Sequence, residues 1–202
     1  MAGRLKTFPY IGFMMTLFMI GAGCSRQSST SESAGGTQVA SATTMTPVKR
    51  GEYLVKAMGC NDCHTPWKLG ANGPEPDMTK YLSGHPADVT MPPPPDLGGQ
   101  AWQWTGAATM TAFAGPWGVT YSANLTPDVT GLGPWTADQF IQVMRSGKIY
   151  GGSRPIMPPM PWQDFATLSD DDLKAVFTYL QSIPAISNHV PDYQPPAGPG
   201  AR

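Results

Sequence analysis

Charged side chains are scarce in this sequence of 202 residues. It contains 13 lysines and arginines and 14 aspartates and glutamates, and its formal net charge at pH 7 is −1. Proteins that bind nucleic acid or an anionic membrane surface through electrostatics carry a clear excess of basic residues. The composition therefore gives no reason to expect nucleic acid or an anionic membrane surface as a partner.

Cysteine is also scarce, because the chain has only Cys24, Cys60 and Cys63. A chain of this size that depended on a disulfide framework would need more cysteines, so this class is excluded. Two of the three cysteines lie together in the motif CNDCH of residues 60–64. They are therefore candidates for a chemical site.

The N-terminal segment has the features of an export signal. It combines a basic start with an apolar run of 13 residues, Phe8–Ile20, which is too short to span a bilayer comfortably. The small residues before Cys24 make it similar to the lipobox of bacterial lipoproteins, in which the cysteine is acylated. An ordinary secretory signal with an incidental cysteine is the alternative. We expect residues 1–23 to be the signal, Cys24 to be a lipid anchor, and the Ser/Thr-rich residues 24–46 to be a flexible tether.

Regular alternation of apolar and polar residues is missing, so no β-strand is predicted. Three stretches have helical spacing instead, and we predict helices within residues 50–60, 136–147 and 169–184. The second begins with a capping box of Thr136 and Gln139, and the third begins with an N-cap serine. The side chains predicted to face the core are Tyr53, Leu54, Ala57, Met58, Phe140, Val143, Met144, Leu173, Val176, Phe177 and Leu180.

Between the first two helices, residues 65–134 combine many prolines and glycines with aromatic side chains. A proline- and glycine-rich composition is typical of disorder, but disordered segments are poor in aromatic residues. A loop of this kind needs a large apolar object to pack on, and an embedded prosthetic group would provide one. The tryptophans concerned are Trp67, Trp102, Trp104 and Trp117.

The CNDCH motif is compatible with three kinds of chemistry. A structural zinc ion needs four ligands, and the motif supplies three without a second cysteine pair to complete them. A thioredoxin-like redox pair belongs at the start of a helix in a βαβ unit, whereas this motif follows a helix. A c-type haem uses every functional residue: Cys60 and Cys63 form thioethers with the porphyrin and His64 ligates the iron. The haem interpretation is favoured.

A proline-rich segment, RPIMPPMPW at residues 154–162, offers ligands for the other side of the iron. Proline stiffens the backbone around Met157 and Met160, which suits the delivery of a thioether at a fixed distance. A methionine ligand favours Fe(II) and raises the reduction potential. The alternative is that both are ordinary core methionines.

Several motifs together resemble the class I c-type cytochromes, particularly the domains of dehydrogenase-associated cytochrome subunits. The resemblance covers roughly residues 48–190 and rests on CNDCH, ANLTPD, TGLGPWTADQFIQVMRSG, MPPMPW and LSDDDLKAVFTYLQSIP. In that family the ligand methionine precedes a proline and an aromatic residue, some nine residues before the serine that caps the last helix. The resemblance therefore implies Met160 as the ligand, with Met157 as the alternative. It also implies that Asn124 and Thr126 hydrogen-bond a haem propionate, although a turn held by the asparagine and the Thr-Pro-Asp stretch is an equal alternative.

The fold that the resemblance implies is all-α. We expect a class I cytochrome c domain at residues 47–190, with a few short helices around one haem, a long Pro/Gly/Trp-rich loop, and the first helix crossing the last. Residues 191–202 are expected to form a disordered tail. Such subunits often carry several Cys-x-x-Cys-His motifs, and this chain has one, so we expect a single covalent haem.

The expected function is that of an extracytoplasmic one-electron carrier and not of an enzyme. Its expected partners are a dehydrogenase donor and an oxidase or cytochrome acceptor, at the periplasmic or outer face of the cell envelope. Two alternatives remain. One is a haem enzyme or gas sensor with an open iron site, and the other is an electron-transfer subunit of a larger dehydrogenase complex. His85 is a further possible iron ligand, although a loop histidine is more often exposed or hydrogen-bonded.

Overall fold

The computed structural model describes residues 45–97 and 101–196. The predicted signal, Cys24 and nearly all of the predicted tether lie outside the described residues. Within them the chain forms five α-helices and five short β-strands, together with a single 3₁₀ turn at Met78–Lys80. The helices are α1 (Pro47–Ala57), α2 (Cys60–His64), α3 (Ala137–Ser146), α4 (Trp162–Phe165) and α5 (Asp170–Leu180), and the strands are β1 (Trp67–Gly70), β2 (Gly73–Pro76), β3 (Thr105–Gly106), β4 (Ala112–Gly115) and β5 (Gly118–Tyr121).

Helices α1 and α5 pack against each other, as predicted. They come close together at Gly51, where an added Cβ would collide with the main chain of Ala175. The packing of the two helices buries Leu54 and Val55, whereas Tyr53 remains 54% exposed. The predicted core face of α1 was therefore wrong at Tyr53 and at Ala57, which are both exposed. The Tyr53 ring lies beneath the Arg50 guanidinium, 5.7 Å from it.

Helix α3 forms as predicted. The side chain of Thr136 accepts a hydrogen bond from the Gln139 amide, and the Gln139 side chain accepts one from the Thr136 amide, so the capping box is complete. Gly147 ends the helix in the left-handed conformation. Phe140 packs against Phe177 of α5, with ring centroids 5.6 Å apart.

The core is built from one apolar cluster that joins α1, α3 and α5 to two loop leucines. Its members are Leu54, Val55, Leu82, Leu132, Phe140, Leu173, Val176, Phe177 and Leu180. All four residues that were predicted to face the core from α5 are buried. In the described ranges, no helix combines the length and apolarity that crossing a membrane requires.

The prediction of an all-α fold was wrong. Strands β1 and β2 form an antiparallel hairpin with Trp67 opposite Pro76, and β3, β4 and β5 form a three-stranded antiparallel sheet. Both sheets lie in the proline- and glycine-rich segment that was predicted to be a loop. Each strand has only two to four residues, which is too short to show an alternating pattern against the surrounding loops.

The end of the described chain also differs from the prediction of a disordered tail from residue 191. The amide of Gln194 donates to the Val119 carbonyl at 3.0 Å, and the Val119 amide donates to the Gln194 carbonyl at 2.8 Å. The Tyr193 hydroxyl donates to the Trp117 carbonyl at 2.5 Å. The packed part of the chain therefore includes residues 193 and 194, while residues 197–202 lie outside the described ones.

Candidate functional site

The CNDCH motif forms the short helix α2. Gly59 precedes it in the left-handed conformation, with φ of 66°, and this turn separates α2 from α1. Residues three apart on a helix lie on the same face, so α2 presents Cys60 and Cys63 together and places His64 beside them. Both cysteines are free thiols in the structure and both are partly buried. Cys60 packs against the apolar core.

The environment of the two thiols is not that of a redox-active pair. Burial raises the pKa of Cys60 to about 11, and burial also raises the pKa of Cys63. Reactive Cys-x-x-Cys pairs have lowered thiol pKa values, because the thiolate is the nucleophile. Within the part of the chain that the structure describes, no group of three or more His, Cys, Asp and Glu side chains is arranged to hold a metal ion.

His64 is oriented by a loop that follows β5. Its Nδ1 lies 2.8 Å from the Ala123 carbonyl oxygen. A carbonyl only accepts, so Nδ1 carries the proton and donates, and Nε2 keeps its lone pair. Burial lowers the pKa of His64, which favours the neutral imidazole. The ring is thus prepared as a metal ligand through Nε2, with its other nitrogen fixed by a carbonyl acceptor.

The main chain of His64 is held from the opposite side. The Gly84 amide donates to the His64 carbonyl at 2.8 Å, and the next amide, that of His85, donates to the Ser122 carbonyl at 2.9 Å. Gly84 has φ of +78°, and a Cβ there would collide with the Ser122 carbonyl. This glycine therefore allows the close approach that connects His64 to the loop of Ala123.

Sequence reasoning missed both Ala123 and Gly84. Ala123 acts through its main-chain carbonyl, which every residue type has, so no side-chain signal exists for it. The glycine in SGHP was a signal for an unusual turn.

The two candidate methionines lie in one segment that returns to the sheet. A bridge between Lys148 and Pro155 and a hydrogen bond from the Ile156 amide to the Gly147 carbonyl, at 2.7 Å, lead the chain from α3 into this segment. Met157 and Met160 are both partly buried. The Thr120 hydroxyl of β5 lies 3.1 Å from the Pro158 carbonyl, between the two methionines. The choice of Met160 stays a prediction.

Asn124 is buried within a network of protein contacts. Its amide nitrogen donates to the Thr130 hydroxyl at 3.1 Å and to the Ile186 carbonyl at 2.8 Å. Its amide oxygen accepts from the main chain and the hydroxyl of Thr126. Both amide protons are used in this way, so the structure favours a turn held by Asn124. Its contact with a haem propionate stays a prediction that these bonds do not support.

His85 is fully buried and hydrogen-bonded at both ring nitrogens. Nδ1 lies 3.0 Å from the Thr111 hydroxyl, and Nε2 lies 3.2 Å from the Val89 carbonyl. The Val89 carbonyl requires a proton on Nε2, and Nδ1 faces the Thr111 hydroxyl. Burial lowers the pKa of His85. Neither nitrogen is left for an iron ion.

Two buried indole groups bear on whether a haem fits this molecule, because each has an N–H donor that needs an acceptor. The indole nitrogens of Trp67 and Trp117 are buried and have no hydrogen-bond partner among the described residues. A buried donor without an acceptor is costly. A haem carries two carboxylates that can accept such bonds, and Trp67 lies only three residues after His64. The thiol pair, the oriented imidazole and these donors together fit a covalently attached haem.

Comparison with known proteins gives an independent result. The family model described as cytochrome c matches residues 48–184. The match includes the CNDCH motif, both candidate methionines and all five helices except the first residue of α1.

Individual relatives are subunits of dehydrogenases. The chain is 32% identical over 134 residues to the gluconate 2-dehydrogenase cytochrome c subunit of Pantoea cypripedii, covering 66% of this chain and 22% of that protein. It is 29% identical over 149 residues to the alcohol dehydrogenase (quinone) cytochrome c subunit of Gluconobacter oxydans, covering 72% and 24%. It is 27% identical over 136 residues to the fructose dehydrogenase cytochrome subunit of Gluconobacter japonicus, covering 67% and 21%. The chain thus spans less than a quarter of the length of each relative.

Proposed function

This chain belongs to the cytochrome c family, whose members carry a covalent c-type haem, and we propose that it transfers single electrons as the cytochrome subunit of a dehydrogenase complex. The proposed cofactor is one haem, held by thioethers to Cys60 and Cys63. The residues that would ligate its iron are His64 and Met160. When bound, this group supplies reversible one-electron exchange at its iron.

The observation that carries the proposal is the hydrogen bond from His64 Nδ1 to the Ala123 carbonyl at 2.8 Å. It fixes the tautomer in which Nε2 can ligate a metal, and it does so within the CNDCH motif. At the buried His85, by contrast, both ring nitrogens are hydrogen-bonded within the protein.

The residues around the site have separate roles. Cys60 and Cys63 fix the position of the cofactor on α2, and the Ala123 carbonyl holds the imidazole ring in place. Met160 supplies a soft, neutral ligand that favours the reduced state. A methionine on the iron would also exclude external ligands, as electron transfer requires and a haem enzyme or a gas sensor does not.

A subunit role is favoured over an independent carrier because the relatives are named as cytochrome subunits of gluconate, alcohol and fructose dehydrogenases. By analogy, a dehydrogenase subunit would be the electron donor, and an oxidase or another cytochrome would be the acceptor.

We further propose that the domain works outside the cytoplasm, anchored by a lipid on Cys24. The support is the apolar run Phe8–Ile20, the small residues before Cys24 and the Ser/Thr-rich stretch that follows. The tether would allow the domain to reach partners near the membrane surface.

Mass and absorption measurements test the cofactor. Intact mass of the purified protein should exceed that of the polypeptide by one haem, and acid–acetone should fail to extract it. The pyridine haemochrome spectrum should show two thioether links per haem. Extractable haem, or a second haem per chain, would contradict the proposal.

Affinity purification tests the subunit role. A tagged chain, solubilised with mild detergent from its native membranes, should bring down a dehydrogenase subunit in a constant ratio, and the substrate of that dehydrogenase should reduce its haem. As a control, a His64→Ala variant should lose reduction by substrate. A chain that purifies alone, yet exchanges electrons with soluble cytochromes, would support the independent carrier instead.

A further inference from the structure

Strand β5 makes a hydrogen bond to the segment that contains the two candidate methionines, residues 154–162. Thr120 is buried, and its hydroxyl lies 3.1 Å from the Pro158 carbonyl and 3.3 Å from the Phe113 carbonyl. The hydroxyl has one proton to donate, and both carbonyl groups can only accept it. The Pro158 carbonyl is the nearer of the two acceptors. Pro158 lies between Met157 and Met160.

The methionine segment is attached at its start to the residues after α3, through the Lys148–Pro155 bridge and the hydrogen bond from the Ile156 amide to the Gly147 carbonyl. Prolines at positions 155, 158, 159 and 161 lack an amide proton, so the segment is held mainly through its carbonyl groups. The Met160 amide is used inside the segment, because it donates to the Met157 carbonyl at 3.3 Å. Between Met157 and Met160, the Thr120 hydroxyl is a donor from another element that contacts the segment.

The same strand also leads to the histidine side of the site. Ala123, whose carbonyl accepts from His64, follows Thr120 by three residues. An extended chain advances about 3.3 Å per residue, so these two contact points lie about 10 Å apart along it. Strand β5 is itself fixed on both edges, by pairing with β4 and by the bridge from Val119 to Gln194.

We propose that Thr120 is a positioning residue for the methionine ligand. Its hydroxyl holds the Pro158 carbonyl, and through it keeps the methionine sulfur at the iron. This inference rests on the methionine ligation in the proposed function. Without the hydroxyl, the segment would be held less firmly, and an external ligand would compete with the methionine more readily.

Imidazole binding to the oxidised holoprotein measures this opening. Thr120→Val keeps the shape and strand preference of threonine but removes the donor, and Thr120→Ser keeps the donor. We expect Thr120→Val to bind imidazole roughly 2- to 10-fold more tightly than the wild type, the factor expected for the loss of one hydrogen bond. Thr120→Ser should bind it nearly as the wild type does. The titration is monitored by the absorbance of the far-red sulfur-to-iron charge-transfer band, which disappears as imidazole replaces the methionine.

Thr178→Val is the matched control, because the Thr178 hydroxyl also donates to a carbonyl, that of Lys174, but within α5. This variant should bind imidazole like the wild type. Equal imidazole affinity in Thr120→Val and wild type would overturn the inference, as would an equal gain in Thr120→Ser or Thr178→Val. If Thr120→Val does not accumulate with haem, the pair Thr120→Ala and Thr120→Ser provides the same contrast. A wild-type protein without the charge-transfer band would defeat the methionine ligation itself, which is a different failure.

Discussion

At the scale of single residues, Met157 and Met160 are alternatives for one role within one stiff segment. Replacing the true ligand leaves the iron with a harder ligand such as water or hydroxide, which stabilises Fe(III). We expect Met160→Leu to lose the far-red charge-transfer band, to lower the reduction potential and to admit carbon monoxide in the reduced state. Absorption spectroscopy and a redox titration measure all three.

The paired variant Met157→Leu should keep the band and most of the potential. Its only expected cost is in packing, at most about 1.5 kcal/mol for a swap of similar volume. The reverse pattern would move the ligand to Met157. Retention of the band in both variants would remove methionine ligation from this segment.

The proximity of the two cysteines and the histidine was the most predictable feature of the site. Cys60, Cys63 and His64 are adjacent in the chain, so a single turn of helix is enough to bring them together. The partner of His64 was not predictable, because the carbonyl of Ala123 is reached only through the fold of the segment that follows β5. The same holds for Thr120, whose role depends on a strand that was not predicted.

At the scale of elements, the contact between α1 and α5 depends on the absence of a side chain. A Cβ at Gly51 would overlap the Ala175 carbonyl, so the two helices would have to move apart. We expect Gly51→Ala to lower the free energy of unfolding by about 1–3 kcal/mol or more. Gly152→Ala is the control, because its added Cβ meets no atom closer than 3.7 Å. Thermal unfolding of both variants measures the difference, and equal stability would contradict the close contact.

The same two helices share an ion pair. The Arg50 Nε donates to Asp172 at 2.8 Å, and this hydrogen bond is the main reason why the pKa of Asp172 lies below its ordinary value of 3.8. A carboxylate with a lowered folded pKa stabilises the fold above its unfolded pKa, and this contribution disappears as the pH falls through the folded pKa.

We therefore expect Asp172→Asn to lower the unfolding midpoint by at most about 4 °C, because the pair is partly exposed. The difference from the wild type should be constant above about pH 5 and should shrink below pH 4. Asp171→Asn removes the same charge from the first turn of α5 and serves as the control for the helix dipole. Equal pH dependence in the two variants would assign the effect to the dipole.

Helices were more predictable than strands in this chain for a physical reason. The caps of α3 and α5 are local interactions between residues three apart, so the sequence contains them directly. Strands β1 to β5 have two to four residues each, and β2 includes two prolines, so their pairing is determined by partners elsewhere in the chain. On α1, the position of Gly51 against α5 selects Val55 over Tyr53 for the core, which hydrophobicity alone does not reveal.

At the scale of the whole molecule, the location of the domain depends on residues outside the described ones. We expect Cys24→Ser to release the protein from the membrane into the soluble extracytoplasmic fraction, because the mature chain would lose its lipid. The haem spectrum of the variant should be unchanged. Cell fractionation with labelled fatty acid measures both location and acylation. A wild-type protein that is already soluble and unlabelled would contradict lipid anchoring.

The distance along the chain between α1 and α5 has a consequence for the order of events during biosynthesis. Arg50 binds Asp172, 122 positions later, so the core that covers Cys60 closes only after nearly all of the described chain has been made. Once the core has closed, burial raises the pKa of Cys60 to about 11, and a raised pKa leaves less thiolate to react. We therefore expect covalent attachment of the cofactor to precede the packing of α5 onto α1.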